Sequence, residues 1–272
     1  MEDRGPAGSI PFDRIAGEYD RTRMLPEPIM RKVLALLEGE LDGRGRCLEI
    51  GVGTGRLALP LHEMGIEMAG VDLSRSMLTR LRAKAGGTWP FPVAQGDATA
   101  LPFGDRSMGA GLAAHVLHLI PGWQEALSEL ARVVRPGGVV LADVGNWEGR
   151  GARAVLRDRF CREAGIDRPF PGTQDPAKVS AHMVLLGARL RALRPIYHTS
   201  VGTLEERIAT MEQGVHSFTW QLDEGERRAA AARTRTWAER RFGALDRPRR
   251  ARRRIVWYAY DLPGSPSTGR PT

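Results

Sequence analysis

The chain has 272 residues, 42% hydrophobic and 26% charged, which is the balance of an ordinary soluble globular protein and room for one sizeable α/β domain or two small ones. No apolar run approaches the roughly 20 residues needed to span a bilayer, and MEDRGPAGSIPFDR lacks the apolar core of a secretory signal, so a cytoplasmic protein with no membrane span is expected. The net charge of +8 would raise nucleic acid as a partner, but lysine occurs only at Lys32, Lys84 and Lys178, and an arginine-for-lysine habit across the whole chain argues against a dedicated phosphate surface. Cys47 and Cys161 stand far apart with no Cys/His cluster near them. That argues against structural zinc and against a disulfide, and it makes Cys47 a buried structural thiol.

The first 30 residues mix proline and glycine with the stretch Phe12 to Asp20 and are expected to form an N-terminal cap. Helical spacing of Ile29, Val33, Leu34, Leu36 and Leu37 predicts a helix over 28–41, ended by Gly43 and Gly45. Strands are then predicted at 46–50, 67–72, 92–95, 109–113 and 139–144. Helices alternate with them at 57–64, at 77–85 behind the cap Ser74, and at 123–134, the last stopped by Arg135-Pro-Gly-Gly138. This alternation predicts an α/β fold, a Rossmann-like doubly wound, mostly parallel seven-stranded sheet with helical lid insertions. Past Gly145 the pattern changes to a helix near 179–190, a strand at 193–201, helices at 204–211 and 223–242, a strand at 255–262 and a frayed tail over 265–272. The run Arg247 to Arg254, RPRRARRR, is expected to be a solvated connector, the alternative being contact with an acidic partner. The expected organisation is a single domain with a cap over 1–30, a ligand-binding core over 31–146, lid and substrate-binding elements over 147–254 and a closing strand over 255–262.

The densest signal is Cys47-Leu-Glu49-Ile-Gly51-Val-Gly53-Thr-Gly55-Arg56, a strand entering a glycine-rich turn that exits into a helix. Glycines there let the backbone approach a ligand, and the helix N-terminus offers unpaired N–H groups. A dinucleotide fingerprint needs a third glycine where this chain has Arg56, so an NAD site is disfavoured. Glu49 would repel a pyrophosphate but suits an ammonium, pointing to an amino-acid nucleoside. Asp72, at the tip of the second strand, is placed to accept from both ribose hydroxyls, the alternative being a helix cap. Asp97, after the third strand, can accept from an exocyclic amine such as that of adenine, or merely organise its turn.

Taken together, FDRIAGEYD, LEIGVGTGRLALPL, GVDLSRSML, QGDATALPF and ELARVVRPGGVVLADV resemble the class I S-adenosylmethionine-dependent methyltransferases, closest to the small-molecule branch related to ubiquinone and menaquinone biosynthesis enzymes. The resemblance runs from Phe12 to about Val144. It implies that Gly51, Gly53 and Gly55 line the methionine part of S-adenosylmethionine, with Glu49 on its ammonium side. Asp72 would hold the ribose beside Leu73 and Met77, and Asp97 and Ala98 would meet the adenine. Tyr19 would close over the cofactor, and the segment Ala113 to Ile120 would pass the sulfonium. The product would be S-adenosylhomocysteine, and no metal is implied.

Methyl transfer from a sulfonium needs alignment in a dry site, and a base only when the acceptor must lose a proton. His115, at the ligand-binding edge of the sheet, is the candidate base, against a purely packing role; His118 is expected to be structural. Asp143 and Asn146 flank the end of the fifth strand as candidate substrate contacts. Trp147, Met183, Met211, His216, Phe218 and Trp220 are candidates for an apolar acceptor pocket under the lid. A small organic acceptor is expected (O-, C- or N-methylation), the alternatives being an RNA methyltransferase or a cofactor-binding protein with a non-methylating reaction such as cyclisation.

Overall fold

The computed structural model describes residues 20, 24–143, 151–167 and 169–264; Tyr19, Asn146 and Trp147 lie outside them. Helix α1 (Glu27–Leu41) buries Met30, Val33, Leu34, Leu37 and Leu41, while Ile29 and Leu36 of the expected stripe are only partly buried. There follow β1 (Cys47–Ile50), α2 (Ala58–Glu63), β2 (Met68–Asp72), α3 (Arg75–Lys84) and β3 (Val93–Gln95), then β4 (Met108–Ala114), α4 (Trp123–Val133) and β5 (Val134–Asp143). Beyond them come α5 (Ala152–Glu163), α6 (Pro176–Leu185), β6 (Arg189–Ala192), β7 (Ile196–Gly202), α7 (Leu204–Glu212), α8 (Glu224–Phe242), β8 (Arg249–Ile255) and β9 (Tyr258–Asp261). Ser74 caps α3 as expected, its side chain accepting from Met77 N at 3.1 Å.

The chain divides into two compact units. The larger, made of the described residues of 4–145, Gly172–Arg194 and 256–272, holds a seven-stranded sheet in the order β3-β2-β1-β4-β5-β9-β6. The first five strands are parallel, while β9 runs antiparallel to both β5 and β6. Strands β1, β4 and the inner part of β5 are buried throughout, as a sheet covered on both faces requires. The order places the reversal of winding between β1 and β4, so the loops that leave their C-terminal ends flank the switch point of the fold.

Several expected boundaries move, each for a physical reason. Arg135-Pro-Gly-Gly138 does not separate helix from strand. Val134 already pairs with Met108, and the next partners are Ala110 and Val139, so these residues bulge out within β5 while Gly137 takes φ +74°. The helix expected to reach residue 190 stops at Leu185, and Leu190 belongs to edge strand β6. Arg191 ties that edge down by bonding bidentately to Glu40 (3.1 and 2.8 Å) and to Asp261 (2.7 and 2.9 Å). The strand expected at 255–262 begins at Tyr258, because Ile255 ends β8.

The smaller unit comprises the described residues of 146–171 and Pro195–Ile255. Its core gathers Leu156, Phe160, Cys161, Ile166, Leu204, Ile208, Met211, Phe218, Ala230, Ala231, Ala238 and Leu245. Helices α7 and α8 start on reciprocal capping boxes, Thr203 with Glu206 and Asp223 with Glu226. The basic run expected as a solvated connector is strand β8, paired antiparallel with β7 from Ile196↔Ile255 to Gly202↔Arg249. Backbone pairing, indifferent to side-chain type, makes a strand of a run whose arginines mask its alternation.

Candidate functional site

The turn after β1 is set by packing as much as by ligand access. Gly51 lies at φ +66°, and a Cβ there would collide with the Cγ2 of Val116, so the loops after β1 and β4 touch at this point. A Cβ on Gly55 would meet Leu59 and Leu81. At Gly53 a Cβ would meet the Met77 side chain at 3.4 Å and the Asp72 carboxylate at 4.0 Å, so its side-chain direction points toward the candidate site. Gly51→Ala combines left-handed strain with that collision, and a loss of about 2–3 kcal/mol of stability is expected in urea unfolding. Val116→Ala in the same chain should restore the steric part and leave the strain.

Asp72 organises this turn from the tip of β2. Its Oδ2 accepts from Gly53 N and its Oδ1 from Ser74 N, both at 2.8 Å, so one carboxylate links the loops after β1 and β2. Gln95 Nε2 donates to the carbonyl of Leu73 at 3.2 Å, which joins the ends of β2 and β3. Met77 and Ala98 are buried beside these loops, and Ala113 is fully enclosed in the sheet core.

Glu49 is 3% exposed. It accepts from the Ala58 amide, while its Oε2 has no hydrogen-bond partner. Burial pushes its pKa up from 4.5 to about 8, with the Arg56 guanidinium pulling it down, the Asp72 charge pushing it up and the Ala58 amide pulling it down. Asp97 uses Oδ1 to accept from Thr99 N and Oγ1, both at 2.9 Å, and its buried Oδ2 has no partner. Two buried carboxylate oxygens without donors, at the ends of β1 and β3 and flanking Asp72, form a set of acceptors waiting for N–H and O–H groups. Such a set fits an amino-acid nucleoside, whose ammonium, ribose diol and exocyclic amine are all donors.

His115 follows β4 at φ +53°, outside the usual range for a residue with a Cβ, and its N–H donates to the Asp143 carbonyl at 3.3 Å. Its ring lies 4.7 Å from that of the buried His118, tilted by 51°. Asp143 is buried at the end of β5, opposite Ala114. His115 and Asp143 therefore sit together at the switch-point edge, on the side of β1 away from Asp72.

The other expected residues are held by packing and hydrogen bonds within their own units. Met183 packs into the core of the larger unit. Met211 and Phe218 are core residues of the smaller one. In that unit His216 stacks on Phe218 at 5.5 Å and lies 2.7 Å from Arg207 Nη1, while Trp220 donates to the Gly214 carbonyl at 2.8 Å.

One residue escaped the reading of the sequence. Asp20 accepts from Thr54 Oγ1 at 2.6 Å and pairs with Lys84 at 3.0 Å, which fastens this residue to the glycine turn and to α3. Its signal was its place beside Tyr19 in the stretch Phe12 to Asp20. Among the described residues no group of three or more His, Cys, Asp or Glu could hold a metal ion, and no helix is long and apolar enough to cross a membrane.

Residues 48–142 match the family model of a methyltransferase domain. A phosphatidylethanolamine N-methyltransferase from Cereibacter sphaeroides is 40% identical over 100 residues, 36% of this chain and 49% of the relative. A ubiquinone/menaquinone biosynthesis C-methyltransferase from Desulfotalea psychrophila is 31% identical over 142 residues, 50% of this chain and 56% of the relative. The chain thus spans about half the length of the curated relatives it matches. Among solved structures, the Haemonchus contortus phosphoethanolamine N-methyltransferase 2, in complex with phosphomonomethylethanolamine and S-adenosylhomocysteine, superposes with a TM-score of 0.54 at 19% identity. It covers 93% of this chain and 58% of its own.

Proposed function

Because this chain carries a class I S-adenosylmethionine-dependent methyltransferase domain related to the ubiquinone and menaquinone biosynthesis methyltransferases, we propose that it methylates a small organic acceptor. The observation that carries this reading is the pair of buried, undonated oxygens Glu49 Oε2 and Asp97 Oδ2 on either side of Asp72. In the proposal Glu49 meets the ammonium of S-adenosylmethionine, Asp72 the ribose hydroxyls and Asp97 the adenine amine. The remaining lone pairs of Asp72 allow this while it holds Gly53 and Ser74. Gly53 and Met77 leave room for the methionine chain, and Leu73 and Ala98 supply apolar walls.

When bound, the cofactor supplies an electrophilic methyl group on a sulfonium. The protein's task is to align the acceptor, exclude water and remove a proton where the acceptor carries one. A proton lost from the acceptor goes to the His115 imidazole. The strained backbone of His115 at the switch-point edge supports this role, and the neighbouring buried Asp143 supports a contact to the acceptor.

The test is thermal unfolding with S-adenosylhomocysteine, beside NAD and ATP as controls. At 100 times its dissociation constant the correct ligand should stabilise by about 2.7 kcal/mol. A shift with S-adenosylhomocysteine alone supports the reading, and a larger one with NAD overturns it. Once an acceptor is found, His115→Ala should slow single-turnover methyl transfer by about 100-fold or more with cofactor affinity kept. An unchanged rate would remove His115 from the base role. Tight cofactor binding with no methyl transfer to any acceptor would favour a non-methylating reaction.

A further inference from the structure

The two-stranded sheet of the smaller unit has two unlike faces. On one, Ile255 is buried, Arg253 Nε donates to Ser200 Oγ at 3.2 Å, and the partly buried His198 is held below its usual pKa by desolvation and by Arg253. The other face is built from three cross-strand pairs, Tyr197 with Arg254, Thr199 with Arg252 and Val201 with Arg250. Every one of these six side chains is exposed.

This outer face carries three arginines and no acidic residue on its own two strands. No Asp or Glu occurs in residues 195–203 or 247–257, and none of the three arginines has a carboxylate partner among the described residues. Arg250, Arg252 and Arg254 are alternate residues of β8, so their Cα atoms follow one another at about 7 Å along one face. Tyr197 and Val201 sit on the same face, 46% and 61% exposed. Arg252 lies 4.4 Å over the Tyr197 ring.

We propose that this face docks the protein on the surface of an anionic phospholipid bilayer. Arg250 and Arg254 can fork onto lipid phosphate, Arg252 adds its charge from over the Tyr197 ring, and Val201 faces the headgroup boundary, where aliphatic groups are favoured. A nucleic-acid strand suits the face less well. Its bases need an open aromatic platform, and the Tyr197 ring is covered by Arg252. A phosphate backbone would leave Val201 against solvent or charge. The partner that satisfies both the charge and the apolar groups of this face is a headgroup layer.

Co-sedimentation of the full chain with phosphatidylcholine vesicles, with and without phosphatidylserine, tests this. Binding is expected only with phosphatidylserine, and it should be lost at high salt. The triple variant R250E/R252E/R254E should weaken it on the order of 100-fold or more, from roughly a factor of five for each basic side chain. The milder R250Q/R252Q/R254Q, which leaves the strand pairing alone, should weaken it by a similar factor with an unchanged melting curve. Equal binding to neutral and anionic vesicles, no binding to either, or undiminished binding by the glutamine variant would each overturn the proposal. So would tighter, ribbon-dependent binding to single-stranded RNA than to the anionic vesicles. None of these readouts involves methyl transfer, so the proposal stands or fails apart from the activity.

Discussion

Asp72→Ala is expected to weaken S-adenosylhomocysteine binding by at least about 100-fold and to destabilise the unliganded protein as well. The two effects have separate causes. Without ligand, the carboxylate accepts from Gly53 N and Ser74 N, and its loss leaves these two amides without that acceptor where the loops after β1 and β2 meet. Charge-assisted bonds of this kind contribute about 1.5–3 kcal/mol each, reduced by the partial exposure of Asp72, so a drop of about 2–4 kcal/mol in urea unfolding is expected. With ligand, the ribose bonds are lost too. Asp72→Asn separates the contributions, because its amide keeps one acceptor and turns the other into a donor. Asp72→Ala that unfolds more easily yet binds S-adenosylhomocysteine with unchanged affinity would leave Asp72 as a loop anchor alone.

Glu49 should make cofactor binding pH-dependent in the neutral range, where an ordinary surface carboxylate is already ionised. With its pKa at about 8, the side chain is mostly protonated at neutral pH in the unliganded protein, and an incoming ammonium must ionise it. Binding is therefore coupled to proton release. Affinity should rise by up to about tenfold per pH unit toward pH 8 and then level off. Calorimetry in buffers of different ionisation enthalpy would count the proton. Glu49→Gln should flatten the profile and weaken binding most at pH 8.

The same shift acts on stability with the reverse slope. Between the ordinary 4.5 and about 8 the folded protein holds a proton that the unfolded chain does not, so stability falls as pH rises through that window. Glu49→Gln should remove this loss and leave the unliganded protein more stable than wild type at pH 8. A variant less stable at pH 8, with cofactor affinity unchanged, would mean that Glu49 serves the fold and not the ligand.

The alternating periods of residues 28–144 and the glycine turn were legible because each is local. A strand buried on both faces is continuously apolar, and a helix capped by Ser74 declares its start. The capping boxes at Thr203 and Asp223 are equally local, and the helices they begin, α7 and α8, appear where expected. The acceptor set Glu49, Asp72 and Asp97 could be listed from the sequence, because each lies at or just past the C-terminal end of a strand that the parallel winding brings to one edge.

What escaped depends on partners distant in the chain. Residues 249–255 carry five arginines and no apolar alternation beyond Ala251 and Ile255, so nothing local marks a strand; pairing with Ile196–Gly202 makes one. Leu190 reads as helical until Asp261 and Glu40 capture Arg191 and hold the segment at the sheet edge. Met183, Met211 and Phe218 suited an apolar pocket by composition, and only packing assigns them to cores. The amino-acid sequence by itself determined the winding of the sheet and the chemistry offered at its edge, since periodicity, caps and glycine turns are properties of neighbouring residues. Tertiary structure alone decided which carboxylate oxygens lack donors, that Gly51 is required by Val116, and that an arginine run is a ribbon with one open face, because burial and pairing arise only when distant segments meet.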